Sequence, residues 1–176
     1  MELETERLRL RHWTPADRAP FAAMNADPRV VEYLLAPLTA EQSNAMVDRI
    51  EAHFQAHGYG LWAVEEKGGA PFIGFVGLTN IPFEAHFTPN VEVGWRLAHA
   101  HWGKGYATEA AKAALDAGLG VLGLPEVVSM TVAANERSWH VMEKIGLVRS
   151  ADDDFLHPRV PEGHPLRAHI LYRSRK

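Results

Sequence analysis

The 176-residue sequence predicts a single α/β domain with a mixed β-sheet. Short segments in which apolar and polar residues alternate are interleaved with segments whose apolar residues recur every three to four positions, as in strands joined by helices. With 47% hydrophobic residues the chain can fill one substantial core, and no internal repeat or low-complexity linker divides it. One domain over residues 1–176 is therefore expected.

From Arg7 to Trp13 the alternation Arg-Leu-Arg-Leu-Arg-His-Trp reads as a strand that buries Leu8 and Leu10 on one face. Thr14-Pro15 opens a helix, with proline tolerated in its first turn, and Asp27-Pro28 closes it. Thr39 three residues before Gln42 has capping-box spacing for a helix over 40–57, with Ala45, Met46, Ile50 and Phe54 on its apolar stripe. Tyr59 to Glu65 and Phe72 to Asn80 form a hairpin, in which Gly74 and Gly77 mark bulges, bends or a close approach of another segment. Val91 to Leu97 alternates again. Ala107, Ala110, Ala111, Ala114, Leu115, Gly118 and Leu119 give a small-residue helical face suited to close packing on a sheet. The mostly β-branched run Val127 to Val132 predicts a central strand. Asn135 is placed to cap a helix over 136–144 that stops at Gly146. Leu147-Val148 restarts a strand, 152–163 reads as a loop, and Leu166 to Arg173 is the last strand.

Bulk composition narrows the function classes. With 18 basic against 22 acidic side chains the formal net charge is -4, and no dense Lys/Arg run supplies a nucleic-acid footprint. No apolar run reaches the roughly 18–20 residues needed to span a bilayer, so no membrane partner is expected. The first residues lack the basic region and apolar stretch of a secretory signal, and cysteine is absent; a cytoplasmic protein without disulfides or a cysteine-linked intermediate is expected.

The most informative segment is Trp102-Gly103-Lys104-Gly105-Tyr106-Ala107, a glycine turn between a strand and a helix. Such a junction leaves backbone N–H groups unpaired at the positive end of the helix, where phosphate oxygens satisfy them. Glycines admit the required dihedrals and let a pyrophosphate approach without meeting a Cβ. Two better-known phosphate loops do not fit: Gly105 is followed by Tyr106 rather than Lys-Ser/Thr, and the third glycine of a dinucleotide fingerprint is Thr108. By itself the turn is also compatible with an ordinary tight connection.

Trp102 to Ala110 resembles the acetyl-CoA-binding motif of the GNAT family of N-acetyltransferases, particularly the branch containing the ribosomal-protein N-terminal acetyltransferases. The resemblance begins at Glu6-Arg7-Leu8-Arg9-Leu10-Arg11, continues through Val91 to Trp95 and ends in Asn135 to Leu147, nearly the whole chain. It implies a mostly antiparallel mixed sheet with one splayed parallel pair, here the strands near 91–97 and 127–133. Acetyl-CoA is the implied cosubstrate, with no metal. Gly103, Lys104, Gly105, Tyr106, Ala107 and Thr108 would hold its pyrophosphate, and Val93, Trp95 and Asn135 would line its pantetheine arm. Trp102 replaces the family's frequent Gln/Arg, which removes a polar side-chain contact but leaves the backbone cradle.

Acyl transfer from a thioester to an amine needs an uncharged amine, a stabilised carbonyl oxygen and relief of the departing thiolate. Glu92, flanked by Val91 and Val93 in an otherwise apolar strand, is the candidate base; a solvated carboxylate on a sheet face is the alternative. Asn135, Ser138 and Met142 recur at helical spacing and can share one face. Many family members carry a tyrosine at the position of Met142 that protonates the sulfur; methionine has no proton to give, which leaves Ser138 as the hydroxyl candidate. The expected activity is acetylation of a primary amine, a protein N-terminal α-amine among the candidates, by direct attack in a ternary complex. A small-molecule acceptor (antibiotic, polyamine or amino acid) and a non-catalytic CoA-binding module are the alternatives.

The remaining signals are weaker. His53 and His57, His99 and His101, and His157, His164 and His169 lack metal-ligand spacing and read as surface, loop or substrate-facing imidazoles. Arg167, His169 and Tyr172 are candidates for an acceptor site, and Asp152-Asp153-Asp154 is either a lure for a basic amine or a solvated turn. Loops 31–39, 81–90 and 152–165 are expected to build the acceptor wall. Relatives commonly form dimers, and Trp13, Trp95 or Trp139 are candidate interface residues for a homodimer.

Overall fold

Nine strands and four α-helices are laid down over residues 1–174, the span that the computed structural model describes. In chain order they are β1 (Leu3–Glu4), β2 (Leu8–Arg11), α1 (Arg18–Ala26), α2 (Ala40–His57), β3 (Leu61–Glu66), β4 (Gly74–Asn80), β5 (Val91–Leu97), α3 (Tyr106–Leu119), β6 (Val127–Thr131), α4 (Glu136–Lys144), β7 (Val148–Arg149), β8 (Phe155–Leu156) and β9 (Ala168–Arg173). The sheet runs β1-β2-β3-β4-β5-β6-β9-β7, with β8 also on β9. Every pairing is antiparallel except β5 with β6. The sheet is mixed, as the pattern of the sequence predicts, and mostly antiparallel with one parallel pair, as the family resemblance implies.

Local chemistry places the ends. Leu8 and Leu10 are fully buried, as their alternation requires. Thr39 Oγ1 accepts the Gln42 N–H at 3.1 Å while Gln42 Oε1 accepts the Thr39 N–H at 2.9 Å, a reciprocal box that starts α2, and Gly58 stops it at φ 76°. The start of α1 depends on charge: Asp17 accepts both arms of the Arg11 guanidinium at 2.8 Å and the Thr14 N–H at 2.7 Å.

Two layers cover the sheet. Phe21 of α1 meets Phe75 of β4 at a centroid distance of 6.0 Å, whereas Gly118 of α3 lies against Leu78 and Val127. Residues 75 and 78 point to opposite faces of one strand, so α1 and α3 sandwich the sheet. Gly77 permits the tight β3–β4 hairpin: a Cβ there would lie 2.1 Å from the Gly60 carbonyl oxygen and 2.8 Å from Leu61 Cα. Both obstacles are backbone, so Gly77→Ala is expected to destabilise the fold by about 2 kcal/mol. A chemical-denaturation midpoint unchanged from wild type would contradict that packing.

Pairing of β5 with β6 covers only Val91↔Val127 and Glu92↔Val128. Beyond it the strands part, β5 staying with β4 as far as Leu97 and β6 with β9 as far as Thr131. The two facing edges there have no strand partner, and the opening lies beside the N-terminus of α3.

Candidate active site

The cradle is built as its glycines demand. After β5 a short 3₁₀ turn, His99–His101, leads to Trp102, whose indole N–H donates to Leu97 O at 2.8 Å. Gly103 and Gly105 take φ 73° and 81°, the left-handed region that side chains avoid, and Gly105 is the N-cap of α3. Among the described residues none of the N–H groups of 103–108 donates to a protein acceptor. They form a fan of donors at the positive end of a 14-residue helix. A brace missed by the sequence analysis fixes this loop. Arg7 donates to Lys104 O at 2.9 Å and pairs with Glu109 at 2.7 Å, and Glu109 also accepts the Thr5 hydroxyl at 2.6 Å. Lys104 is exposed, with its ammonium 5.7 Å from the Tyr106 ring centroid. Tyr106 itself is buried, its hydroxyl bonded to Glu66.

The cradle opens into a cleft of about 670 Å³ that runs along the parted strands. Trp95, Trp102, Gly103, Gly105, Ala107 and Thr108 line one side of it, and Ser129 and Thr131 of β6 the other. Val93, expected beside the pantetheine arm, is fully buried and does not line the cleft. Glu92 stands where the strands separate, opposite Thr79 in register and on the same face of β5 as Gly94 and Arg96. Burial, with no cation beside it among the described residues, pushes its carboxyl up to about 7.

Helix α4 supplies the far wall. Asn135 and Ser138 line the cleft, but Met142 does not; it is 1% exposed within the core, and Val141 and Lys144 hold the lining positions instead. The shared face expected for Asn135, Ser138 and Met142 is thus corrected: the apolar side chain follows the core. Asn135 stands at the N-cap without making a cap bond and donates instead to Thr131 Oγ1 at 3.1 Å. At the mouth, Arg137 lies 4.6 Å from the Trp102 ring centroid and pairs with Glu32 at 2.8 Å. A guanidinium thus stands at the edge of the cradle where the tryptophan had seemed to leave only an apolar surface.

Residues 7–148 match the family model described as "Acetyltransferase (GNAT) domain". The chain belongs to the GNAT acetyltransferase family. An uncharacterized protein of Bacillus subtilis, YkkB, is 32% identical over 147 residues, covering 83% of this chain and 84% of that one. The uncharacterized N-acetyltransferase YoaA of the same organism is 29% identical over 146 residues, 82% and 81% of the two chains. Among solved structures, an acetyltransferase from Agrobacterium tumefaciens superposes with a TM-score of 0.81 at 29% identity, covering 100% of this chain and 95% of the other. The GNAT match and the relatives named as N-acetyltransferases make this protein an acetyl-CoA-dependent N-acetyltransferase.

GNAT enzymes use acetyl-CoA as cosubstrate, and the residues present fit it: an unpaired N–H fan for phosphate, and an open strand edge for an amide-bearing arm. Several expectations outside the cradle change. Of the three candidate acceptor loops only the first reaches the cleft, through Val30, Tyr33 and Leu34 in and beside it; 81–90 and 152–165 do not line it. His169 lines the cleft, backed by His157 at 4.9 Å between centroids, whereas Tyr172 turns away to donate to Glu143 at 3.2 Å and Arg167 stays outside. Asp153 pairs with Arg173 and Asp154 with Arg149, so this acidic turn holds the β9 region together rather than luring an amine. His53 accepts the Asn80 N–H at Nε2 and faces Tyr59 O at 2.9 Å, a satisfied structural imidazole. Trp13 is 7% exposed in the core with its N–H on Leu61 O, so it offers no dimer surface; Trp95 lines the cleft. No helix among the described residues is long and apolar enough to cross a membrane.

Proposed function

We propose that this cleft acetylates a primary amine by direct attack in a ternary complex, with Glu92 as the base and Ser138 beside the departing sulfur. The observation that carries the reading is the Glu92 carboxyl, raised to about 7 by burial at the fork of β5 and β6. A group with that affinity for protons accepts one from an ammonium near neutral pH and passes it on without being trapped. A carboxylate poised in this way also argues against a module that only binds CoA.

The chemistry follows from the placements. Acetyl-CoA supplies an activated acyl carbon. Glu92 takes a proton from the ammonium, directly or through water, leaving a nitrogen lone pair. As the N–C bond forms and the C–S bond breaks, strand N–H groups along the open edge of β5 stabilise the carbonyl oxygen. Glu92 releases that first proton to solvent and then takes the second from the acylated nitrogen; the Ser138 hydroxyl gives its proton to the sulfur and regains one from water, so that of the two amine protons one is balanced by the thiol and the other goes to solvent. Trp95 and Asn135 flank the arm, and residues 102–108 hold the phosphates. The products are an acetamide and the free CoA thiol. The same residues serve a protein N-terminal amine or a small-molecule amine.

Calorimetric titration with acetyl-CoA, followed by a thiol-release assay over peptides with free N-termini, polyamines, aminoglycosides and amino acids, tests the reading. Saturable binding with amine-dependent thiol release is expected; binding without release across that whole panel would overturn it. Ser138→Ala is expected to lower kcat about tenfold at unchanged acetyl-CoA affinity. Equal kcat in the two proteins would leave the sulfur to another proton source.

A further inference from the structure

Arg96 is a cation with no counter-charge. It follows Glu92 by four residues on β5, so both side chains rise from the same face, toward α1. Its guanidinium is packed into the protein between Phe75, whose ring centroid is 5.4 Å from Cζ, and Asn25 of α1, whose Oδ1 accepts from Nη1 at 2.7 Å. Asn25 is in turn fixed by donating to Ser43 Oγ at 3.1 Å, and both residues are fully buried. Among the described residues no carboxylate lies within 4.0 Å of the guanidinium; Arg49 and Arg159 also lack an acidic partner but are exposed, whereas Arg7, Arg9, Arg11, Arg18, Arg29, Arg137, Arg149, Arg167 and Arg173 are each paired.

The cost of this arrangement points to its use. A buried guanidinium without an anion loses hydration that one amide oxygen and one ring face do not replace. Burial alone pulls its pKa down to about 10, still leaving it charged at neutral pH. Its remaining N–H donors have no protein acceptor, yet they are not among the sealed, unsatisfied atoms of the fold; they open on the cleft that Arg96 lines. Phe75 covers one face of the guanidinium, and Val30, Tyr33 and Leu34 are among the residues that line the same cleft.

We infer that Arg96 binds a carboxylate of the acceptor, so that the substrates of this enzyme are amines that carry an acid group several bonds from the nitrogen. The inference rests on the acetyl-transfer reading of the cleft, because the amine must meet Glu92. Spacing selects the class further. Residues four apart on a strand are about 13 Å apart at Cα, and the guanidinium is tied back to Asn25 rather than free to swing toward Glu92. The nitrogen and the carboxylate of a bare α-amino acid are too close together to serve both groups. A longer ω-amino acid, or a short peptide-like amine ending in a carboxylate, spans them. A planar guanidinium with free donors engages a carboxylate through two parallel hydrogen bonds, which an amide or a methyl group cannot reproduce.

The test compares ω-amino acids of two to six carbons with alkylamines of matching length in the thiol-release assay. In wild type, kcat/KM for one or more of the longer acids is expected to exceed that of its alkylamine at least tenfold, with the advantage in KM. In Arg96→Gln that acid-to-alkylamine ratio is expected to fall toward one, and Arg96→Lys to restore part of it; acetyl-CoA affinity within twofold of wild type checks that each variant is folded. A wild type without preference for the acids, or an Arg96→Gln variant that loses both substrate series equally, would overturn the inference and assign Arg96 to clamping α1 through Asn25. If no amine in the panel is turned over, binding of the N-acetylated ω-amino acids to the CoA-bound protein, read as a thermal shift, decides separately. A shift present in wild type and lost in Arg96→Gln upholds the carboxylate site while the transfer reading fails; no shift in wild type removes both.

Discussion

Replacing Glu92 by glutamine is expected to lower kcat about 100- to 1000-fold, the span that a positioned general base contributes. The substitution conserves volume, so folding and acetyl-CoA affinity should hold, and the loss should appear in the chemical step. The pH profile is the sharper readout. Burial raises the carboxyl to about 7, so its proton-accepting form grows as pH rises through that value. Wild-type activity should therefore climb across pH 6 to 8 on a limb with an apparent pKa of about 7, and Glu92→Gln should lose that limb while keeping any higher limb that belongs to the amine. The same limb surviving in the variant would move the base to another group. His169 is another titratable group in the cleft, and burial holds its pKa below the ordinary imidazole value.

Gly105→Val is expected to weaken acetyl-CoA binding on the order of 100-fold. The residue sits at φ 81°, where a β-branched side chain costs roughly 1–2 kcal/mol in the backbone alone. Relief of that strain rotates the peptide planes at the start of α3 and turns the N–H fan away from its anion. A Cβ here would also stand 3.4 Å from the Arg7 Nη2, pressing on the brace that holds Lys104 O. Calorimetry reads the effect directly, and an unchanged dissociation constant would mean that the phosphates are held elsewhere. Turnover at saturating acetyl-CoA should suffer far less than affinity, because residue 105 does not approach the fork at Glu92.

These contrasts show why some of the molecule is legible in the sequence and some is not. Strand β5 and helix α4 have the predicted bounds, because alternation in one and a cap-to-glycine span in the other are local properties. The two-residue strands β1 and β8 carry no period and are invisible before pairing. Gly74 and Gly77 announced a close approach, but only the fold shows that backbone carbonyl oxygens fill the space a Cβ would need. The cradle was readable because its chemistry lies in consecutive residues. Arg7 with Glu109, Arg137 with Glu32 and Arg96 with Asn25 join residues 102, 105 and 71 positions apart, and no spacing rule anticipates them. Arg96 did leave one signal: a second charge on the Glu92 face of a strand whose other face is apolar. Met142 illustrates the opposite error, in which helical spacing suggests a shared face but the surrounding core decides which side chain it keeps.

The parting of β5 and β6 has a mechanical meaning as well as a catalytic one. Two neighbouring strands joined at only two residue pairs leave a seam in an otherwise continuous sheet, with β5 held by β4 on one side and β6 by β9 on the other. A cosubstrate lying in the gap bridges the β1–β5 half and the β6–β9 half where the strands themselves do not pair. The parted strands are nonetheless backed by one continuous core that includes Val76 and Val93 on one side and Val127 and Ile170 on the other, so the gap is a cut in the hydrogen-bond ladder and not in the packing beneath it.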